Sequence, residues 1–262
     1  MRVAIDYTSA IYQAAGIGRF TRSLVHALAE IDRDTEYLLV YAAPPRGVQP
    51  AIPDAPNFSG HRIPLPDRLL TIAWQRLRIP VPVDLATGPL DIFHSPDFVL
   101  PPVWRTPTVL TVHDLAFLLR PECAEQKLRE YLEKAVPRSV AKADFVLADS
   151  ENTQDDLIVL LGVPPSKVEV IPGGVDPRFT PIKDPESERV RREVTGGAPY
   201  ILSVGMIEPR KNLGRLIDAF ARIKAAHGLP HKLVLAGSRG EDAGSLPALE
   251  QPVDAPSEGV PC

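Results

Sequence analysis

Cysteine is almost absent from this 262-residue sequence, which holds only Cys123 and Cys262. Two cysteines cannot build a disulfide framework, and they lack the spacing of a metal knuckle, so the pattern fits a reducing, cytoplasmic compartment. Long apolar runs are missing too. No uninterrupted stretch approaches the roughly 18 residues of a membrane span, and residues 1–6 carry neither the basic start nor the cleavage site of a secretory leader. Aromatics make up only 6% of the chain and the net charge is −4. The basic residues are dispersed, with no Lys/Arg block interleaved with aromatics, so nothing favours nucleic acid as a partner.

Hydrophobic residues, at 44%, are ample for a core, and proline, at 29 of 262, is about twice its usual share of roughly 5%. Many prolines fall between periodic segments, and those segments alternate strand with helix, which predicts an α/β fold. Residues 3–6 read as a strand. A glycine loop (14–19) leads from it into a helix with Phe20, Leu24, Ala27, Leu28 and Ile31 on one face. A strand at 36–42 precedes a proline-rich connection, 44–66, with one short strand. Leu69, Leu70, Ala73, Trp74 and Leu77 then predict one helix over 67–79. Its Arg68, Arg76 and Arg78 mark either a solvated face or a peripheral membrane contact.

A strand at 91–95 reaches a polar end at His94-Ser95, and a longer one at 108–114 ends in the ionisable pair His113-Asp114. A long helix over 124–142, bent at Pro137, leads to a strand at 144–149 and a helix opened by Ser150. After a strand at 167–171 comes the run Pro172-Gly173-Gly174-Val175-Asp176-Pro177, whose glycines and prolines suit a hinge. A strand at 200–204, a helix after Asn212 and a strand at 231–237 form a further βαβ unit. From Gly240 onward the sequence has no helix or strand period and reads as disordered.

Three loops carry candidate chemistry. Gly205 closes a strand, and Glu208, Arg210, Lys211 and Asn212 lie between it and the next helix, where backbone N–H groups, a helix dipole and two cations suit a diphosphate. Gly16 and Gly18 allow close approach of backbone to a ligand. His113 can donate a hydrogen bond to a ligand or support charge redistribution without acting as a base. Asp114 either orients that imidazole or caps the next element, Ser150 is an N-cap or a ligand contact, and His94 reads as an internally satisfied residue.

Taken together, the Gly16 loop, His113-Asp114, the Gly174-Val175-Asp176 turn and Gly205…Arg210-Lys211-Asn212 resemble the retaining, GT-B-fold glycosyltransferases of the group 1, or family 4, type. The resemblance spans about residues 1–239. It implies a GT-B-like architecture: a Rossmann-like acceptor-side domain (1–175), a hinge (176–198), the start of a second Rossmann-like domain that binds the nucleotide sugar (199–239), and a disordered tail (240–262). It implies transfer of a hexose, with mannose the first candidate, from a nucleoside diphosphate sugar to a glycan or lipid-linked acceptor with retention. His113 would lie against the donor sugar as the catalytic residue. Arg210 and Lys211 would hold the diphosphate with Gly16 and Gly18 bordering it, so that neither a metal nor a cofactor is needed. Asp114, Ser150, Glu208 and Asn212 are further candidates. The expected location is cytoplasmic, with peripheral contact at the inner face of the membrane.

The family's pair of donor-binding glutamates has no counterpart here, so the expectation is an incomplete donor site with negligible turnover. Two other readings stay open at this point: an inactive truncated fragment that is at most a weak binder, and an NAD-type Rossmann oxidoreductase. The oxidoreductase lacks support, because the first glycine loop departs from Gly-x-Gly-x-x-Gly.

Overall fold

Alternation along the first strands sorts their side chains into two cores. Val3 and Ile5 go to one side of the sheet and Ala4 to the other, while Tyr37 and Leu39 separate in the same way from Leu38 and Val40. Strands that bury both faces need helices on both, which is the arrangement of a parallel α/β sheet. The computed structural model describes residues 1–14, 16–181, 185–208 and 211–238. It divides into two compact units, Met1–Asp176 and Pro177–Cys262.

The first unit is a seven-stranded, all-parallel sheet of β1 (Arg2–Asp6), β2 (Glu36–Ala42), β3 (Phe58–Ile63), β4 (Ile92–Ser95), β5 (Thr108–Val112), β6 (Phe145–Ala148) and β7 (Val168–Val170). Its order is β3-β2-β1-β4-β5-β6-β7. The chain thus builds outward from β1 in one direction, then returns to β1 and builds in the other. At such a reversal the connections leave on opposite faces and open a crevice at the carboxyl ends of β1 and β4.

Helices α1 (Thr8–Tyr12), α2 (Ile17–Ile31), α3 (Asp67–Thr71), α4 (Val83–Thr87), α5 (Ala116–Leu119), α6 (Gln126–Lys142) and α7 (Glu151–Leu161) fill the connections. Val25 and Ala29 of α2 join the core of Val3 and Ile5, whereas Val136 and Val140 of α6 and Leu157 of α7 join the opposite core. The predicted helix over 67–79 is corrected: α3 ends at Thr71, a π-helical turn covers Ile72–Arg76, and Arg78 adopts a positive φ of 54°. Helices α1, α4 and α5 escape the periodicity reading because four or five residues are too few to display a 3.6-residue repeat.

The second unit holds α8 (Glu186–Thr195), β8 (Tyr200–Val204), α9 (Leu213–His227) and β9 (Lys232–Ala236), with β8 and β9 paired in parallel from Tyr200–Lys232 to Val204–Ala236. Neither Gly173 nor Gly174 of the segment before it has a positive φ, so glycine's extra freedom goes unused there. The tail expected to be disordered, 240–262, lies outside the described residues.

Candidate functional site

Strands β1, β4, β5 and β6 end at the same edge, so Asp6, Asp97, His113 and Asp149 emerge together although up to 143 positions separate them in sequence. His113 follows the last residue of β5 and is the most constrained of them. Its Nδ1 lies 2.6 Å from Asp149 Oδ2, just past β6, and its Nε2 lies 2.9 Å from the carbonyl oxygen of Pro96, just past β4. The rings of Phe20 and Phe98 meet the imidazole edge-on, with centroids at 4.9 Å and 5.5 Å. Thr153, in the first turn of α7, donates through Oγ1 to the His113 carbonyl at 3.1 Å.

Burial alone would lower the pKa of His113. The hydrogen bond and charge of Asp149, the Pro96 carbonyl and the charge of Asp97 outweigh it, and the net shift is upward. Burial raises Asp97 to about 6, helped by the charge of Asp6, while His113 and the 3.0 Å hydrogen bond from Gln13 Nε2 act in the opposite sense. Burial likewise raises Asp6 against the hydrogen bonds from Thr8. The Tyr131 hydroxyl is also raised, by burial first and then by the charges of Asp97 and Asp67. The edge therefore sets an imidazole whose protonated form is favoured beside two buried carboxyls, Asp6 and Asp97, whose ionised forms are disfavoured.

The two loop glycines have different jobs. Gly16 precedes α2 with φ +50°, and a Cβ there would meet nothing within 4 Å. Gly18 lies inside the helix, buried, where a Cβ would come within 2.0 Å of the Gln13 carbonyl oxygen and 2.7 Å of that of Ser9. Gly18 is thus required for α2 to cross the end of α1 closely. Arg22 clamps the same crossing by donating to the carbonyls of Ala10, Gln13 and Ala14.

The remaining sequence candidates resolve as follows. Asp114 accepts from Ala116 N–H at 2.9 Å and opens α5, while Asp149 is the residue hydrogen-bonded to His113. Ser150 is the N-cap of α7, its Oγ accepting from Thr153 N–H at 3.2 Å. His94 is satisfied internally, 2.8 Å from Thr111 Oγ1, and burial, with the charge of His113, lowers it to about 4. Asp149, Asp97 and Gln13 were missed by sequence reasoning. The available signal was that Asp149 closes its strand as His113 does.

In the second unit Arg210 lies outside the described residues. Lys211 donates its N–H to the Glu208 carbonyl at 3.1 Å, and its Cε lies 3.7 Å from where a Cβ on Gly205 would stand. Gly205, Lys211, Met206 and Leu213 help line a cavity of about 90 Å³. Gly205 and Gly237 end the two paired strands with φ +149° and +157°, and a Cβ on Gly237 would approach the Gly205 carbonyl oxygen to 1.9 Å. Asn212 takes the left-handed conformation and precedes α9. A larger groove, about 750 Å³, opens in the first unit beside Thr108 and Asp144, at the start of β5 and β6 and so at the opposite edge from His113.

Asp32 and Asp34 have the Asp-x-Asp spacing that can hold a divalent ion. Asp32 instead accepts from the N–H groups of Asp34 and Thr35 and from the Tyr37 hydroxyl, forming the turn between α2 and β2. Among the described residues no group of three His, Cys, Asp or Glu could hold a metal ion, and no helix is long and apolar enough to cross a membrane.

Comparison with known proteins gives a consistent picture. Residues 14–179 match the family model Glycosyltransferase Family 4. The chain is 27% identical over 240 residues to O-antigen chain mannosyltransferase B of Escherichia coli, covering 87% of this chain and 62% of that protein. It is 34% identical over 128 residues to D-inositol 3-phosphate glycosyltransferase of Geodermatophilus obscurus, covering 47% and 28%. Among solved structures, Anabaena Alr3699/HepE in complex with UDP and glucose superposes with a TM-score of 0.57 at 16% identity, over 92% of this chain and 61% of that one. That likeness is one of fold, GT-B with Rossmann-like sheets. The chain spans less than two thirds of the length of these proteins.

Proposed function

The chain belongs to glycosyltransferase family 4, and from that premise we propose that it serves transfer of a hexose from a nucleoside diphosphate sugar to a hydroxyl of a glycan or lipid-linked acceptor, with retention. Mannose is the first candidate for the sugar. In this reading the bond between the anomeric carbon and the diphosphate breaks, the acceptor oxygen attacks from the same face, and its proton passes to the departing phosphate. Arg210 and Lys211 neutralise that phosphate, so the step needs no metal. His113 lies beside the transferred sugar, and Gly16 and Gly18 border the donor. Asp114, Ser150, Glu208 and Asn212 shape the loops around these groups.

The observation that carries the reading is the convergence of His113 with Phe20, the third residue after the first loop glycine pair begins its helix, at the edge where the strand order reverses. Open α/β sheets bind nucleotides and their sugars at such an edge. The UDP-bound state of the Anabaena protein and the mannosyltransferase name of the Escherichia coli relative support a nucleotide sugar as the partner. The reading extends to peripheral contact with an anionic membrane surface through the exposed run Arg76-Leu77-Arg78-Ile79-Pro80-Val81.

Thermal shift of the 262-residue chain with GDP-mannose, UDP-glucose, the free diphosphates and NAD tests the assignment. A ligand at a hundred times its Kd stabilises by about 2.7 kcal/mol, a shift of several degrees. Stabilisation by at least one sugar nucleotide is expected and should fall in Lys211→Ala. Stabilisation by NAD alone would overturn the reading.

A further inference from the structure

We propose that Asp149 is a positioning residue that holds His113 as a doubly protonated imidazolium, so that the crevice offers the transferred sugar a fixed cation and no base. The proposal rests on the transferase reading and adds to it the charge state and the residue that sets it.

The argument is one of donors and acceptors. The Pro96 carbonyl can only accept, so at 2.9 Å the nitrogen facing it, Nε2, must carry a proton. An ionised Asp149 can also only accept, so at 2.6 Å Nδ1 must carry one as well. A neutral ring satisfies one contact and sets lone pair against lone pair at the other. The escape is a protonated Asp149 that donates to Nδ1. Asp149 has 32% of its side chain in solvent, against 12% for His113, so the carboxyl is the better hydrated of the pair.

The surroundings favour the same state from every side. Asp97 faces the ring from the loop after β4, and its charge favours the imidazolium. His94, on β4, is held neutral by burial and adds no competing cation. Asp114 is turned away onto the N–H of Ala116. Phe20 and Phe98 pack against the imidazole in T-shaped contacts, with interplanar angles of 80° and 75°, and so favour the ring orientation that points Nδ1 at Asp149.

A sugar hydroxyl can therefore accept a hydrogen bond from Nε2–H in place of the Pro96 carbonyl, with the proton staying on nitrogen, but it cannot lose a proton to this ring. Asp149 keeps Nδ1–H occupied throughout and so selects the nitrogen that faces the substrate, the role an orienting carboxylate plays beside other imidazoles.

Proton and nitrogen NMR of the His113 ring in the 262-residue chain, titrated from pH 5 to 9, reads the charge state without any ligand. In the parent, His113 is expected to titrate above the ordinary value of about 6.5. Asp149→Asn should raise its acid dissociation constant at least tenfold, and Asp149→Glu should restore most of the difference. Circular dichroism checks that each variant is folded. Titration of the parent at or below 6.5, which needs no variant, overturns the proposal, as does an unchanged value in folded Asp149→Asn. For the role toward the donor, affinities for GDP-mannose and UDP-glucose are compared with those for GDP and UDP. Asp149→Asn should weaken the preferred sugar nucleotide roughly tenfold and leave the free diphosphate unchanged, and equal effects on both would overturn that role. If the parent binds none of the four, the transferase reading fails, while the NMR titration still decides the charge state.

Discussion

Phe20 meets the imidazole of His113 edge-on, with ring centroids 4.9 Å apart and planes 80° apart, and so joins the helix after the glycine loop to the end of β5. Edge-to-face aromatic contacts add about 0.5–1.5 kcal/mol beyond the area they bury. Phe20→Ala should therefore cost about 1–3 kcal/mol in urea denaturation, and Phe20→Leu less, since it keeps the volume without the ring. The same variant frees the imidazole to turn, so the His113 resonance should broaden or split. An unbroadened signal with full stability would mean that the contact constrains nothing.

Gly18 and Gly16 should respond in opposite proportion to what the loop's glycine-rich look suggests. Alanine at Gly18 drives a methyl into the carbonyls of Gln13 and Ser9, both backbone atoms that cannot step aside. A loss of about 3 kcal/mol is expected, at the upper end for overpacking. Alanine at Gly16 meets open space but must hold φ +50° with ψ −112°, a combination outside the left-handed helical region, at about 1–3 kcal/mol. Equal melting temperatures for the two variants would contradict this division.

Much of the fold could be read before the structure. Most strands among the described residues follow from runs such as 3–6 and 36–42, because a parallel sheet leaves an apolar record, whereas β3, with Ser59, His61 and Arg62, could be placed no more closely than one short strand within 44–66. The His113 position was legible because an ionisable pair closes a β-branched strand. Its partner was not. Asp149 precedes an obvious N-cap, Ser150, and a sequence holds no information on whether an acidic residue beside a helix start faces the dipole or an imidazole 36 positions away. Asp114 was the nearer candidate and points elsewhere, onto Ala116. The interruption of the helix after Thr71 was hidden for a related reason: Ile72–Arg76 keeps helical apolar spacing while its hydrogen bonds widen.

The exposed run from Arg76 to Val81 alternates cations with Leu77, Ile79 and Val81, which are 66%, 41% and 57% exposed. Near an anionic bilayer each arginine contributes about 1 kcal/mol, so Arg76→Gln with Arg78→Gln should lower partitioning onto vesicles containing phosphatidylserine roughly thirtyfold. Co-sedimentation at low and high salt checks it. Binding that is absent from the parent, or unchanged in the double variant, removes the membrane contact from the reading.

Asp97 predicts a pH dependence whose sign can be worked through. Its pKa is about 6 when folded against 3.8 for the free group, so between those values the unfolded chain releases a proton that the folded chain keeps. Stability from this group is fully present below pH 3.8 and is lost as the pH rises through about 6. His94 acts oppositely in nearly the same window. Lowered to about 4 from 6.5, it is protonated first in the unfolded chain, so stability is lost as the pH falls. The two slopes offset each other in the parent, and Asp97→Asn, neutral at every pH, removes one of them. The variant should gain about 1–3 kcal/mol over the parent at pH 7.5 and close to nothing at pH 4, so that its stability changes with pH between them more in the direction His94 imposes than the parent's does. Denaturation at a series of pH values measures the difference directly. A gain that is the same at pH 4 and pH 7.5 would show that the carboxyl of Asp97 is not the buried, charge-averse group its surroundings describe.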